Sequence, residues 1–184
     1  VGALAGIVLG NNIGGGNKSR NKVIGAVAGA AIGGAIGYSM DNQAKEVAES
    51  LNTNVNNNPN AVLDPNQDLI VSNTDNYVKI MFRDDMMFET NSANPTYSAG
   101  NKISKIRPVL EKYPNTLVQV VGHTDSRGSY EYNLSLSEKR ATNVGNIINS
   151  LGVQNQIFSR GCSFNKPVAL NNNDANMGLN RRVE

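Results

Sequence analysis

The first 40 residues repeat a pattern of apolar residues with glycine at every fourth position. The pattern occurs twice, and the segment between the two stretches, residues 11–22, is rich in turn-forming residues and carries three basic side chains. Since a helix turns once in about 3.6 residues, a step of four places such glycines on one face. This spacing predicts a glycine-zipper helical hairpin over residues 1–40. The glycines are Gly2, Gly6, Gly10, Gly14, Gly25, Gly29, Gly33 and Gly37.

Residues 41–68 show a different pattern, which changes again at about residue 51. Apolar residues recur at helical spacing in the first part, which predicts that a helix continues beyond the hairpin. The second part, residues 52–67, is rich in asparagine and has too few apolar residues to bury a face. We therefore expect residues 41–68 to form an acidic helix followed by an extended tether. The apolar residues of that helix are Ala44, Val47, Ala48 and Leu51.

From about residue 69 the chain alternates strand patterns with helix patterns. Strands are predicted at 74–83, 116–122, 156–162 and from residue 181. Helices are predicted at 97–113, where Pro108 should kink or restart the helix, and from the turn after residue 122 to about residue 151. Ser135 and Glu138 have the spacing of a capping box near the start of the second helix. The order βαβαββ predicts an α/β (α+β) sandwich, with helices on one face of a mixed sheet.

Glycine in the first segment suggests a membrane environment. A helix interior in water loses about 1 kcal/mol for each glycine that replaces alanine, whereas in lipid small residues let two helices pack closely. Residues 23–38 carry no charge and would form a helix of about 24 Å, against about 30 Å of hydrocarbon. We expect residues 1–40 to contact a membrane, with a flexible glycine-rich linker as the alternative. Because Val1 lies inside an apolar run, we also expect a leader before it, which could carry a lipidated cysteine.

Charge and composition exclude several classes of function. The chain has 17 Lys and Arg against 15 Asp and Glu, which is too balanced to favour nucleic acid as a partner. One Cys and one His cannot form an internal disulfide or a metal site rich in either residue, so we expect no metal and no cofactor. The net charge divides into +3, −4 and +3 over residues 1–40, 41–68 and 69–184. Three segments of different composition are therefore expected.

Two motifs give the third segment a family resemblance. Residues 122–141 read GHTDSRGSYEYNLSLSEKRA, and residues 180–184 read NRRVE. They are similar to the signature of the OmpA-like peptidoglycan-binding domain, which is G-H/Y-T-D-x-x-G, then N-x-x-L-S-x-x-R-A, then N-R-R-V. The similarity covers about residues 75–184, within the segment 69–184. The glycine-rich segment ending in GYSMDNQ also resembles the YiaD-like lipoprotein branch of this family.

The resemblance implies a binding site for the diaminopimelate of the peptidoglycan stem peptide. This group ends in an ammonium and a carboxylate on one carbon. By resemblance Asp125 takes the ammonium, and Arg140 takes the carboxylate in a bidentate contact. Arg127 stands where the family commonly has a small polar residue. Other positions that match the family's binding residues are Asn91, Thr124, Asn133, Arg181 and Arg182.

Alternatives to this interpretation exist at the level of the site and of the protein. Asp125 and Arg140 could form an ordinary structural salt bridge, and the pocket could be filled or unused. A hydrolase built on His123, Asp125 and Ser126 is not expected, since His123 and Asp125 are near neighbours and no nucleophile turn surrounds Ser126. We therefore expect a protein that is not an enzyme.

The expected function is to anchor an envelope membrane to the cell wall in a Gram-negative cell. The outer membrane, at its periplasmic face, is favoured over the inner membrane. The alternative is a structural subunit of an envelope-spanning secretion or motor complex, in which residues 69–184 position the machine. Expected partners are thus the stem peptide, the membrane and subunits of such a complex.

Overall fold

The computed structural model describes residues 3–11, 34–58, 60–64, 66–73 and 77–183. Within these ranges seven strands form one mixed sheet. The strands are β1 (Ala3–Asn11), β2 (Val55–Asn56), β3 (Leu69–Asn73), β4 (Tyr77–Arg83), β5 (Thr116–Thr124), β6 (Ile157–Gly161) and β7 (Arg182–Val183). The helices are α1 (Gly34–Ser50), α2 (Asp84–Met87), α3 (Tyr97–Ser104), α4 (Arg107–Lys112), α5 (Tyr130–Ser150) and α6 (Asp174–Asn180).

The sheet runs from β2 through β3 and β4 to β5 and β6. Both β1 and β7 pair antiparallel with β4 and with β5, so they share the space between these two strands. The β2–β3 and β5–β6 pairs are parallel, and the β3–β4 pair is antiparallel. All nine residues of β5 are buried. The residues that follow β5 therefore leave the sheet from a strand that is buried along its whole length.

The predicted strands and helical segments are present in the predicted order in residues 77–183, and the structure adds two short helices that were not predicted, α2 after β4 and α6 before β7. The helix predicted at 97–113 is two helices, and Pro108 lies in the first turn of the second, where a missing N–H costs nothing. The prediction of a capping box at Ser135 and Glu138 is wrong, because both residues lie inside α5. The N-cap of α5 is Ser129, whose side chain accepts a hydrogen bond from the Tyr132 N–H at 3.1 Å.

The helices bury the apolar faces that their spacing predicts. The exposed fractions of the buried side chains do not exceed 4 %. They belong to Ile103, Ile106, Val109 and Leu110 in the α3–α4 segment, and to Ala141, Val144 and Ile148 in α5. Together with the apolar residues of β4 and β5 they form one hydrophobic core.

Helix α1 lies in this core and contains the helix expected in the first part of residues 41–68, whereas β2 and the buried Leu63 correct the extended tether expected after it, over residues 52–67. The predicted apolar stripe is present, and Met40 and Val47 are both 0 % exposed. At the polar edge of the stripe, the Thr116 hydroxyl donates to Gln43 Oε1 at 3.0 Å inside the protein. Farther along, β2 pairs with β3, and Leu63 is 3 % exposed. An apolar helix face is stable only when covered, and here the sheet domain covers it.

Residues 3–11 also differ from the prediction, because the sequence predicts a helix there and the structure has the strand β1. Its register with β5 runs from Ala3 opposite Thr124 to Asn11 opposite Thr116. Its other edge pairs with β4, from Ile7 opposite Ile80 to Gly10 opposite Tyr77. An extended segment can satisfy the backbone groups of β4 and β5 along these facing edges, which a helix cannot do.

The rest of the predicted hairpin, residues 12–33, lies outside the described residues. Among the helices that are described, none is both long and apolar enough to cross a membrane.

Candidate functional site

The turn GHTDSRG connects β5 to α5, and at both of its glycines the structure leaves no room or no favourable backbone conformation for a larger residue. A Cβ on Gly122 would lie 2.4 Å from the backbone oxygen of Ser137, so glycine lets α5 approach β5 closely. Gly128 has φ +90°, a backbone conformation that side chains with a Cβ rarely adopt. These two positions fix the strand-to-helix connection, and Asp125 begins it.

Asp125 is fully buried and accepts four hydrogen bonds from two arginines. The Arg127 backbone N–H donates to Oδ1 at 2.9 Å, and Arg127 Nε and Nη2 donate to Oδ2 at 3.1 and 2.8 Å. Arg181 Nη1 donates to the same Oδ2 at 3.0 Å. Burial would raise the pKa of Asp125, but the hydrogen bonds from Arg127 and Arg181 outweigh it and hold the pKa below its usual value. The site therefore contains a fixed anion at neutral pH.

Asn133 holds the loop around this anion. It is 0 % exposed, and its Nδ2 donates to the backbone oxygen of Arg127 at 2.7 Å. The N–H of Asn133 also donates to the Ser129 carbonyl at 3.1 Å, in the first turn of α5. Beside it, the backbone N–H of Thr124 donates to Ser163 at 2.9 Å. Asn133 and Thr124 thus fix the loop backbone on either side of Asp125.

Arg140 is a fully buried cation with partners from the loop and helix after β4. Its Nη1 donates to Asp84 Oδ1 at 2.6 Å, and its Nε donates to the backbone oxygen of Ser92 at 2.6 Å. The guanidinium carbon lies 4.5 Å from the centre of the Phe88 ring, in a cation–π contact. Two polar contacts and one aromatic face therefore orient this side chain in the protein interior.

Asp84 is the buried acid beside Arg140. Burial raises the pKa of Asp84 to about 7, and the positive charge of Arg140 opposes this shift only in part. Burial likewise lowers the pKa of Arg140, while the negative charge of Asp84 raises it. The two groups thus compensate each other's charge in a place where either alone would be costly.

Arg181 links the two ion pairs into one charged cluster. It donates to Asp125, and its positive charge also acts on Asp84 and on Arg140. Its side chain is 16 % exposed, whereas those of Asp125 and Arg140 are 0 % exposed. The cluster consists of Asp84, Asp125, Arg127, Arg140 and Arg181. It combines two carboxylates and three guanidiniums, an arrangement suited to a ligand that carries both signs of charge.

The structure brings most of the residues predicted from the sequence to this cluster. Asp125, Arg140 and Arg181 belong to it, and Thr124 and Asn133 support its loop. Asn91 is exposed on a turn with φ +59°, next to the Ser92 carbonyl that holds Arg140. Arg182 lies in β7, where its backbone pairs with Arg83. The assignment of all these residues to ligand contacts stays a prediction.

The sequence pattern missed Asp84 and gave Arg127 no partner. Asp84 comes directly after a predicted strand, which was the available signal, but nothing local pairs it with Arg140, 56 residues away. Asp125 and Arg140 therefore form their ion pairs with other residues, and the direct salt bridge between these two described residues that was considered as an alternative is not formed. Within the described ranges, no three His, Cys, Asp or Glu side chains are grouped as a metal site would require.

Comparison with known protein families gives two matches. The model described as the OmpA family matches residues 87–181, slightly more than half of the chain. The model described as a glycine zipper matches residues 1–44. The first range contains the charged cluster apart from Asp84, and the second contains β1 and the residues up to Ala44 in α1.

Two curated relatives match the C-terminal part. The chain is 35 % identical over 98 residues to the probable lipoprotein YiaD of Escherichia coli strain K12, which covers 53 % of this chain and 45 % of that protein. It is 42 % identical over 77 residues to the peptidoglycan-associated lipoprotein of Legionella pneumophila, covering 41 % of this chain and 43 % of that protein. The chain thus spans less than half the length of these relatives.

A solved structure shares the fold. It is the cell wall anchor of the T6SS from Pseudomonas aeruginosa, with a TM-score of 0.57 and 27 % sequence identity. The similarity covers 64 % of this chain and 85 % of that one.

Proposed function

Because the chain belongs to the OmpA family, we propose that residues 69–184 bind peptidoglycan without covalent attachment, through the diaminopimelate of the stem peptide. The observation that carries this proposal is the buried, ionised Asp125 beside the guanidinium groups of Arg127 and Arg181. Arg181 is in turn close enough to Arg140 to act on its charge. The name of the Legionella relative, a peptidoglycan-associated lipoprotein, supports the choice of ligand.

The ligand group and the cluster have complementary charges. Asp125 takes the ammonium, since its low pKa keeps it negative at neutral pH. Arg140 takes the carboxylate, which replaces Asp84 or the Ser92 carbonyl as a hydrogen-bond acceptor of the buried guanidinium. Arg181, which donates to Asp125 and acts electrostatically on Arg140, adds positive charge for the ligand carboxylate. A ligand with one charge would contact only one half of the site.

The remaining predicted residues have supporting roles in the proposal. Thr124 and Asn133 hold the loop that presents Asp125. Asn91 and Asn133 form neutral hydrogen bonds with the stem peptide. Arg182 supports the closing strand near the glycan or peptide.

The proposed activity is binding, and no bond of the ligand is changed. Ion pairs and hydrogen bonds are sufficient for it. His123, the residue that a hydrolase would need, is 2 % exposed and lies inside β5, where its side chain is enclosed by the protein.

The cellular role follows from combining this site with a membrane attachment. The lipoprotein names of both relatives support attachment to the outer membrane of a Gram-negative envelope, facing the periplasm. Binding of the sacculus by the same chain would anchor that membrane to the cell wall.

A second function is favoured by one comparison. The structure of the T6SS cell wall anchor has the same fold, so the chain could be a subunit of an envelope-spanning secretion or motor complex that its wall-binding domain positions. Extraction of the native protein from envelopes distinguishes the two. A subunit of a machine leaves in a large assembly with stoichiometric partners, and a simple anchor leaves as a small species.

Co-sedimentation with purified sacculi tests the proposed function. We expect the full chain to pellet with sacculi that contain diaminopimelate, and excess free diaminopimelate to release it into the supernatant, because the two compete for one site. Bovine serum albumin serves as the control for trapping. Binding that excess diaminopimelate leaves unchanged would contradict the assigned ligand group, and a protein that stays in the supernatant throughout would contradict wall binding.

A further inference from the structure

The side chain of Arg127 covers the carboxylate of Asp125. Two of its nitrogens donate to Oδ2, and its side chain is 40 % exposed, whereas that of Asp125 is 0 % exposed. Arg181, which donates to the same oxygen, is 16 % exposed. Arg127 is therefore the more solvent-exposed of the two cations that occupy the oxygen an incoming ammonium would need.

Arg127 also has a second anionic partner at the surface. Its Nη1 lies 3.5 Å from Asp174 Oδ1, and the Asp174 side chain is 93 % exposed. The main chain of Arg127 is held independently, since its N–H donates to Asp125 Oδ1 at 2.9 Å and its carbonyl accepts from Asn133 at 2.7 Å. The guanidinium can therefore turn from Asp125 towards Asp174 by rotation of the side chain alone, with the loop unchanged.

We propose that Arg127 is a displaceable internal cation that competes with the ligand ammonium for Asp125, and so sets the affinity and selectivity of the site. The inference rests on the proposed function. When an ammonium replaces Arg127, one cation at Oδ2 is exchanged for another, and the gain is small. A zwitterionic ligand gains in addition the contact of its carboxylate with Arg140, so the competition favours ligands that carry both charges.

Removing the competitor tests this inference. In calorimetric titrations of the full chain with a diaminopimelate-bearing stem peptide, we expect Arg127→Ser to bind about two- to fivefold more tightly than the parent, the range that a half-exposed ion pair represents. Simple loss of a positive charge near an anionic peptide would instead weaken binding. Affinity that is unchanged or lower in Arg127→Ser therefore overturns the inference.

Asp174 supplies the second arm of the experiment, in a variant that changes only an exposed side chain. We expect Asp174→Asn to weaken binding about twofold, because Arg127 then loses its alternative partner and stays on Asp125. In the Arg127→Ser background the same substitution should have no effect, a non-additivity that independent sites would not show. Equal effects of Asp174→Asn in both backgrounds contradict the competition.

The outcomes separate the two claims. If the parent binds the peptide and neither variant shifts its affinity as expected, the inference about Arg127 fails and peptidoglycan binding stands. If neither the parent nor Arg127→Ser binds, the proposed function fails.

Discussion

Replacing Arg140 with methionine is expected to lower the free energy of unfolding by about 3–5 kcal/mol at pH 8, the usual cost of leaving one partner of a buried ion pair alone. Arg140 is fully buried, and Asp84 would remain in the interior without the guanidinium that donates to it at 2.6 Å. Urea denaturation of the parent and of Arg140→Met measures the difference. Stem-peptide binding should be lost as well, because the proposed carboxylate contact is gone.

The pH dependence of this loss has a definite sign. Burial already raises the pKa of Asp84 to about 7 in the parent, from 3.8, and removal of Arg140 takes away a charge that lowers it. The folded state thus binds the Asp84 proton more tightly than the unfolded state does. The free energy of unfolding therefore falls as pH rises from 3.8 through about 7. We expect Arg140→Met to be closer to the parent at pH 5 than at pH 8.

A double substitution is the matched control for this prediction. Adding Asp84→Asn to Arg140→Met removes the buried charge that was left behind, and we expect it to restore part of the lost stability at pH 8. If Asp84→Asn brings no recovery, the two side chains do not compensate each other as the structure indicates.

Asp125→Asn should lower the affinity for the stem peptide about 100-fold, since it removes the anion from a charged hydrogen bond in a buried place. The amide oxygen can still accept from the guanidiniums of Arg127 and Arg181, but the amide NH2 then faces the Arg127 backbone N–H, so this one hydrogen bond of the loop is lost. Titration calorimetry measures the affinity, after thermal unfolding has shown that the variant is folded. The matched control is Glu131→Gln, which removes the same charge from an exposed position in the first turn of α5. A loss of equal size in Glu131→Gln would indicate a general charge effect in place of a site.

The elements of residues 77–183 could be predicted because each has its own period. The alternation in β4, the apolar run of β5 and the helical stripes of α3 to α5 are local properties, and the buried residues follow them. The family motifs then located the site, and the match to residues 87–181 confirms that resemblance. Asp125, Arg140 and Arg181 were accessible from the sequence for this reason.

The predictions that were wrong concern the partner that covers each apolar segment. The local sequence pattern does not encode this partner. The stripe of α1 requires a partner, but spacing does not say whether the partner is a second helix, lipid or the sheet that the structure shows. The glycine repeat is ambiguous for a related reason. Residues four apart share a face in a strand as well as in a helix, so the same repeat fits β1.

Long-range pairing accounts for what the sequence did not reveal about the site. Asp84 meets Arg140 across 56 residues, and Asp125 meets Arg181 across the same separation. Arg127 was visible as a departure from the family pattern, but the sequence did not show that its side chain turns back onto Asp125, two residues earlier.

The central claim is that the charged cluster recognises the zwitterionic end of diaminopimelate. Two stem peptides that differ only at this residue test it most directly, one with diaminopimelate and one with lysine, whose side chain ends in an ammonium alone. Titrated against the parent chain, the diaminopimelate peptide should bind at least about tenfold more tightly, the contribution of the second charged contact. Equal affinity for the two peptides, or tighter binding of the lysine peptide, would contradict the claim.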